Sequence, residues 1–180
     1  MNDKPARNIG LLRGINVGGR NKLPMTKLRE LFELAGASDV ETYIQSGNIV
    51  FALRKAALES VSTRVRELIL KEFGFETELI TRTGKELLAA IDSVPFEEPQ
   101  HAYLAFLSSK PAAQSAKQLE DWVAGDEQYH LRGRELYLCL PNGVAKTKLT
   151  NARIDKALGT ISTVRNWKTV ERLGAMVASG

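Results

Sequence analysis

The stretch that decides the fold is Ile9-Gly-Leu-Leu-Arg-Gly-Ile15, continued by Asn16-Val-Gly-Gly-Arg-Asn-Lys-Leu-Pro24. Its first part has the apolar character of a strand, and its second part is a loop with paired glycines and cations. A helix is expected to begin at Met25. Glycine accepts positive φ at little cost, so backbone N–H groups can turn outward from this loop. The free N–H groups and positive dipole end of the next helix add to a site suited to an anion.

Apolar periodicity organises the first half of the chain. It predicts a helix from Met25 that ends at Gly36, and a second helix over 58–73 that ends at Gly74. Strands are predicted over 40–45, 48–53 and 75–81, with a hairpin turn at Ser46-Gly47-Asn48. The predicted order is therefore β-α-β-β-α-β.

The second half repeats this order after a short helix that begins with the capping-box pair Thr83 and Glu86. Residues 93–100 contain two prolines and no periodicity, which is typical of a linker. The elements predicted beyond it are a strand over 102–107, a helix over 111–123, a hairpin of 127–132 and 135–140 across Gly133, a helix over 147–158 that ends at Gly159, a strand over 160–165 and a final helix capped by Asn166.

The two hairpins can be aligned at one constant spacing. Tyr43 then matches Tyr129, Gly47 matches Gly133 and Phe51 matches Tyr137. Chance likeness of two hairpins is the alternative, but the repeated element order favours an internal duplication. We predict an α+β fold of two ferredoxin-like (β-α-β-β-α-β, alpha-beta plait) subdomains with a C-terminal helix. Their predicted bounds are 1–92 and 101–180, with 93–100 as the linker.

In such a unit, the loop after the first strand and the turn between the second and third strands lie at the same edge of the sheet, because crossovers are right-handed. We therefore expect the loop 16–22 to meet the turn 46–48. Gln45, Ser46 and Asn48 would add polar groups there. The hypothesis of a binding site depends on this convergence.

Two of these stretches, Leu12-Arg-Gly-Ile-Asn-Val-Gly-Gly-Arg-Asn-Lys-Leu-Pro-Met25 and Thr42-Tyr-Ile-Gln-Ser-Gly-Asn-Ile-Val-Phe51, resemble signature segments of the bacterial "domain of unknown function 1697" (DUF1697) family. Val164-Arg-Asn-Trp-Lys-Thr-Val170 is similar to its C-terminal motif. The resemblance implies two ferredoxin-like subdomains and no assigned activity. The positions that match are Arg13, Asn16, Gly18, Gly19, Asn21, Lys22, Gln45, Ser46, Gly47, Asn48, Arg165, Asn166 and Trp167. Arg20 stands where variation is expected, so it is a weaker candidate than Lys22.

Each functional interpretation has a structural alternative. The segment from Gly14 to Gly19 has neither the dinucleotide fingerprint nor the P-loop spacing, so it is either a tight connection or an anion site. Arg13 is either a solvated strand charge or a bidentate anion ligand. In the triplet Arg165-Asn166-Trp167, the structural interpretation is that Asn166 caps a helix and Trp167 anchors it in the core. The functional alternative is a second anion site at the N-terminus of that helix. Arg82 is expected to be a surface or subdomain-interface charge.

Composition narrows the function classes. The 180 residues are 43% apolar and 26% charged with a net charge of +4, which is an ordinary globular balance. The sequence shows no transmembrane run, and we expect no signal peptide and no membrane partner. The lone Cys139 fits a reducing, cytoplasmic compartment. His101 and His130 lack companion ligands, and we predict neither a metal site nor a cofactor.

These patterns predict a cytoplasmic protein that binds a small anionic ligand, for example a phosphorylated one, at the loop and turn. No catalytic arrangement of side chains can be assembled, so the sequence leaves open whether the protein is an enzyme, as it does the ligand and the oligomeric state. One alternative is an RNA- or DNA-binding module, which would need aromatic residues on strands one and three, where only Phe51 occurs. The other is a non-catalytic interaction domain.

Overall fold

The computed structural model describes residues 5–179. The strands are β1 (Ala6–Leu12), β2 (Ser38–Tyr43), β3 (Asn48–Leu53), β4 (Leu79–Thr83), β5 (Ala102–Leu107), β6 (Gln128–Arg132), β7 (Glu135–Cys139) and β8 (Ser162–Asn166). The α-helices are α1 (Met25–Leu34), α2 (Leu58–Phe73), α3 (Gly84–Asp92), α4 (Asn151–Leu158) and α5 (Trp167–Ala178). Shorter-pitched 3-10 segments span Lys55–Ala57, Pro99–His101 and Ala113–Trp122.

The strands form two four-stranded antiparallel sheets, in the orders β2-β3-β1-β4 and β6-β7-β5-β8. The fold is therefore a mixed α+β fold. Each sheet lies in its own compact unit. Unit 1 runs to Ala89 and also includes the chain from Leu173 onward, whereas unit 2 is Ala90–Arg172. The last turns of α5 thus belong to unit 1.

In unit 1, the apolar faces of α1 and α2 pack on one face of the sheet. Phe32 of α1 lies against Phe51 of β3, with ring centroids 5.0 Å apart, and Val65 of α2 joins the same core. The opposite face of β3 is also covered, since Val50 and Ala52 are buried. A strand buried on both faces has the near-continuous apolar sequence seen in Asn48–Leu53.

Several helix ends agree with the predictions from sequence. Gly74 and Gly159 adopt left-handed φ values of 73° and 63° as C-caps of α2 and α4. Glu86 accepts from the backbone N–H of Thr83 at 2.8 Å while Thr83 Oγ1 accepts from Glu86 N, so the capping box is confirmed. The cap at Asn166 is confirmed too, because its Oδ1 accepts from Thr169 N at 2.9 Å.

The segment predicted as an α-helix over 111–123 is a 3-10 segment, Ala113–Trp122. Leu119 is its buried residue. Its other apolar contacts with the core come from Ala116 and Trp122, which are only partly buried. Most of the stability of a short helix comes from packing an apolar face. Unit 2 builds its core mainly from Ile154 and Leu158 of α4 against Leu136 and Leu138 of β7.

Several predicted strand bounds were also displaced, most clearly at the first hairpin and at β4. The turn of the first hairpin is residues 44–47, rather than 46–48, and Asn48 is the first residue of β3. The strand predicted over 75–81 begins only at Leu79, and Phe75 instead packs on Phe73. The strand also extends to Thr83, so Arg82 lies within β4, opposite Ile9. It is 1% exposed, so of its two predicted roles the surface charge was wrong.

The alignment of the two hairpins was out of register. Tyr43 pairs with Asn48, the first residue of β3, whereas Tyr129 pairs with Leu138, near the end of β7.

Between β3 and β7 the shift is one residue. Phe51 pairs with Asn8 of β1, and the corresponding position in the second sheet is Leu138, which pairs with Tyr103 of β5. Tyr137 lies one place earlier and so points to the opposite face of its sheet. A slip of one residue reverses the side of every side chain in a strand, which sequence matching of aromatic residues alone does not detect.

No helix within residues 5–179 has the length and apolar character needed to cross a bilayer.

Candidate functional site

The loop that follows β1 meets the turn between β2 and β3, as the sequence predicts. The backbone N–H of Leu12 donates to Gly47 O at 2.9 Å, and Asn16 Nδ2 donates to Gln45 O at 2.9 Å. Both β1 and β2 are antiparallel to β3, so they end at the same edge of the sheet. The topology therefore brings together residues that lie far apart in the sequence.

Asn16 holds the loop in place. Its Nδ2 also donates to Leu23 O at 2.9 Å, while its Oδ1 accepts from Leu23 N at 2.8 Å. Asn21 adds a bond from Nδ2 to Gly14 O at 3.0 Å, and the backbone N–H of Asn16 donates to Asn21 O at 3.1 Å. The amide groups of these asparagines are thus used to shape the loop.

Left-handed backbone conformations concentrate in this loop. Positive φ values occur at Gly14, Asn16, Gly18, Gly19 and Asn21. Glycine and asparagine are the residues that adopt this region most easily, so the composition explains the shape. A Cβ at Gly18 or Gly19 would meet no atom within 4 Å, which leaves the backbone there open to approach.

Asn48 and Gly47 shape the turn from inside the protein. Asn48 is fully buried, and its Nδ2 donates to Tyr43 O at 3.2 Å and to Ser46 Oγ at 2.8 Å. Gly47 has φ of 74°, and a Cβ there would lie 2.7 Å from Leu12 Cβ. Both residues are at the junction of loop and turn, but beneath its surface.

The surface of the junction is formed by a different subset of the predicted residues. Gly18, Gly19, Lys22 and Gln45 are exposed, and so is Arg20. Within residues 5–179, the backbone N–H groups of Gly18 and Gly19 make no hydrogen bond. The helix α1 that follows has Pro24 at its N-cap, with no side-chain cap and no acidic residue in its first turn. The surface of the junction therefore combines cations, two backbone N–H groups without a hydrogen bond to any described residue and a helix N-terminus without an acidic residue in its first turn.

Arg13 lies just after β1, rather than within it. Its backbone N–H donates to Glu78 O at 3.0 Å, and its carbonyl accepts from Thr77 Oγ1 at 2.8 Å. Thr77 and Glu78 also line a shallow cleft of about 280 Å³ between α2 and the approach to β4. The other residues of this cleft are Thr63, Arg66, Glu67, Leu70 and Glu76. Three carboxylates and one guanidinium make it unsuited to an anion.

At the second predicted anion site, Arg165, Asn166 and Trp167 make contacts with other parts of the protein. Asn166 caps α5, and Trp167 is buried. Arg165 is half-buried and donates from Nη1 to Thr163 Oγ1 at 2.7 Å and to Val164 O at 3.0 Å. Burial lowers the pKa of Arg165 to about 10, which leaves it cationic at neutral pH. These three residues fit the structural interpretation.

In the described part of the chain, Cys139, His130 and Phe51 each have surroundings that a structural role explains. Burial raises the pKa of the half-buried Cys139 thiol, which favours the unreactive protonated form. His130 lies against Phe96, with ring centroids 5.6 Å apart. Within residues 5–179, no three side chains of His, Cys, Asp or Glu are grouped so as to hold a metal ion. Phe51 is fully buried, so it has no surface on which a nucleotide base could stack.

Sequence reasoning overlooked two apolar side chains at the junction. Val17 and Ile44 are 65% and 53% exposed, although large aliphatic residues are usually buried. Val17 lies inside the polar loop, a position that the sequence shows directly. Ile44 was assigned to a strand, and only the shorter observed strand places it in the turn.

Comparisons with known proteins agree with this fold. The solved structure titled "The structure of conserved bacterial protein SP0830 from Streptococcus pneumoniae" matches with a TM-score of 0.73 and 24% identity, covering 96% of this chain and 99% of that one. A search among curated proteins finds none that matches. The family described as "Protein of unknown function (DUF1697)" matches residues 6–137. The resemblance read from the loop and turn is thereby confirmed, and the chain belongs to this family.

Proposed function

We propose that this protein binds a small anionic ligand, such as a phosphorylated metabolite, at the junction of the loop 13–22 and the turn 44–47. The observation that carries the proposal is the pair of exposed N–H groups at Gly18 and Gly19, next to the cations Arg20 and Lys22. Gly18 and Gly19 form the centre of a turn closed by the bond from Arg20 N to Val17 O at 3.0 Å, and successive backbone N–H groups of a turn can form a concave site for phosphate oxygens.

The hydrogen bonds of Asn16 support the proposal because they hold the loop in one shape before a ligand arrives. A loop already ordered loses less conformational entropy on binding than a mobile one. In this proposal Gly18, Gly19, Lys22, Gln45 and Ser46 contact the ligand. The remaining predicted site residues position them from below or behind: Asn16, Asn21, Gly47 and Asn48. Arg13 supplies positive charge at the base of the loop.

Titration of the labelled protein with pyrophosphate, followed by amide NMR shifts, tests this proposal. We expect the amide signals of Gly18, Gly19 and Lys22 to move together and to saturate. Lys22→Gln should weaken binding about tenfold, because a charge-assisted contact is lost. Lys71→Gln, at an exposed lysine near the end of α2, is the matched control and should leave the affinity unchanged.

Binding should also weaken as salt rises from 50 to 300 mM, since the interaction is electrostatic and exposed. Shifts that map to the basic clusters at 132–134 or 146–148 instead would contradict the proposed location. Equal affinities of Lys22→Gln and the parent protein would contradict the role of the loop.

We further propose that the two units are ferredoxin-like halves of an internal duplication. Their strand orders correspond position by position, and so do the bonds at the ends of β1 and β5. Leu12 N donates to Gly47 O at 2.9 Å in one unit, as Leu107 N donates to Arg134 O at 2.9 Å in the other. Arg13 N to Glu78 O and Ser108 N to Ile161 O form a second matching pair.

We also propose that the protein acts in the cytoplasm of a bacterium. The single Cys139 fits a reducing compartment, and the structural neighbour described above is a bacterial protein. Fractionation of cells expressing a tagged chain tests the location.

A further inference from the structure

Two exposed aliphatic side chains flank the proposed anion site. Val17 follows Asn16 in the loop, and Ile44 precedes Gln45 in the turn, so each is one residue away from the Asn16–Gln45 hydrogen bond. They are 65% and 53% exposed. The bond that closes the junction therefore brings the backbone next to both residues together, on the loop that carries the exposed glycines and Lys22.

The backbone of Ile44 is unusual. Within residues 5–179, the non-glycine residues with positive φ are Asn16, Asn21, Asp39 and Ile44. Asparagine and aspartate tolerate this region, whereas a β-branched side chain is disfavoured there. Ile44 has φ of 50°, and half of its side chain lies in solvent, so burial does not offset the strain. The fold alone gives no reason for isoleucine at this position.

The charged residues of the loop and the turn are all cations. The loop 13–22 carries Arg13, Arg20 and Lys22 and no carboxylate, and the turn 44–47 is uncharged. A ligand that satisfies the whole surface must present an anionic group to the cations and the glycine N–H groups. It must also present an apolar group to Val17 and Ile44.

We propose that the ligand is an amphiphilic anion, a soluble phosphomonoester whose ester group is hydrophobic. This inference rests on the anion site proposed above and specifies its substrate class. The phosphate lies at Gly18, Gly19 and Lys22, and the hydrophobic group covers Val17 and Ile44. Each aliphatic side chain that the ligand covers removes apolar area from water and adds affinity.

A series of n-alkyl phosphates tests the inference by calorimetry, with inorganic phosphate as the reference. Full burial of one methylene raises affinity about fourfold, and these two side chains cover a chain only partly. We therefore expect hexyl phosphate to bind about tenfold more tightly than methyl phosphate. In Val17→Thr and Ile44→Asn this ratio should fall toward one. Val144→Thr, at an aliphatic residue 50% exposed in unit 2, is the control and should keep the ratio.

A second measurement separates a binding role of Ile44 from a structural one. Asparagine accepts the left-handed conformation, so Ile44→Asn should raise Tm while it lowers affinity for hexyl phosphate. A fall in Tm with an unchanged ratio would overturn the inference.

The possible failures are distinguishable. If inorganic phosphate binds at Gly18 and Gly19 but affinity does not grow with chain length, the amphiphilic ligand is excluded and the anion site stands. If neither inorganic phosphate nor any alkyl phosphate binds, the proposed function itself fails. If the protein bound phosphatidylglycerol vesicles but not hexyl phosphate, the proposal of a soluble phosphomonoester would be wrong, and the ligand would be a lipid headgroup.

Discussion

At the scale of single residues, two factors shape the junction: glycines that adopt positive φ and asparagines whose side chains form hydrogen bonds. At Gly18 and Gly19, glycine is needed only for its tolerance of positive φ, because an added Cβ would contact nothing there. Gly47 is needed for two reasons, its positive φ and the closeness of Leu12 and Ile15. The two kinds of glycine should therefore respond differently to substitution.

Gly47→Ala should be strongly destabilising. The new Cβ would lie 2.7 Å from Leu12 Cβ and 2.9 Å from Ile15 Cδ1, and the backbone has φ of 74°. Strain of about 1 kcal/mol and crowding of about 2 kcal/mol predict a loss near 3 kcal/mol in the free energy of unfolding. Urea denaturation measures it.

The matched control for this prediction is Gly74→Ala. It has φ of 73° and no atom within 4 Å of the added Cβ, so it should lose only about 1 kcal/mol. Equal losses in both variants would show that the loop does not approach Gly47 closely.

Tyr137 predicts a pH dependence of stability. Its hydroxyl donates to Ala90 O at 2.8 Å, and burial raises its pKa from 10.0 to about 12. The fold therefore favours the neutral phenol, and the stability gained is fully present below pH 10 and lost as pH rises to about 12. The full loss is about 3 kcal/mol, of which about 2 kcal/mol is reached by pH 11.5.

Urea denaturation between pH 8 and pH 11.5 checks this expectation. Tyr137→Phe should cost about 1 kcal/mol at pH 8 through the lost hydrogen bond, and should reduce the slope of stability against pH. Tyr43→Phe, at a half-buried tyrosine of β2, should keep the slope. An unaltered slope in Tyr137→Phe would assign the pH dependence to another group.

At the scale of elements, a loop and a turn become one surface because two strands end at the same edge of a sheet. Asn16 then joins three backbone groups, at Leu23 and Gln45, by hydrogen bonds from one side chain. In an irregular segment, asparagine side chains can satisfy backbone N–H and C=O groups that would otherwise be paired within a helix or sheet. The order of the loop thus depends on β2 as well as on β1.

Asn16→Ala should loosen the loop. Loss of three side-chain hydrogen bonds and of asparagine's tolerance for positive φ should cost about 3 kcal/mol. The amide of Leu23, which donates to Asn16 Oδ1, should exchange with solvent faster. Hydrogen exchange followed by NMR measures both effects.

Asn21→Ala is the control, because Asn21 also has positive φ but donates one side-chain bond, to Gly14 O. It should cost about 1–2 kcal/mol and leave the exchange of Leu23 unchanged. If both variants behaved alike, Asn16 would not be the residue that joins the loop to the turn.

At the scale of the whole molecule, unit 1 is not a continuous stretch of the chain, because it combines the chain up to Ala89 with the chain from Leu173 onward. The last turns of α5 contribute buried side chains to unit 1, among them Leu173, Met176 and Val177. Val177 lies directly above Gly84, where a Cβ would be 2.4 Å from Val177 Cγ1. The first 89 residues therefore do not contain the full core of their own unit.

A chain that ends at Arg172 should have a destabilised unit 1. Loss of three buried apolar side chains predicts about 5 kcal/mol, a large share of the stability of an ordinary domain. Native-state hydrogen exchange should show the largest loss of protection in β1 and β4. A chain that ends at Ala178 is the control and should match the parent. Greater loss of protection in β5 and β7 than in β1 would contradict the assignment of these turns to unit 1.

Much of the local structure could be predicted because its causes are local. The alternation of apolar residues, the Thr83–Glu86 box, the cap at Asn166 and the stop at Gly159 each depend on neighbours within a few residues. The convergence of loop and turn followed from topology. The 3-10 segment over 113–122 was predicted as an α-helix, because the periodicity of its apolar residues does not show how deeply they are buried.

By itself, the sequence determined the strands, most of the helices and their ends, the family and the meeting of the loop with the turn. Only the tertiary structure decided that Asn16 and Asn48 face inward as connectors, that Arg82 is buried, and that Val17 and Ile44 reach solvent. The physical reason is that a polar group's partner, and an apolar group's exposure, depend on which distant segments pack beside it. Short-range patterns contain no information about those segments.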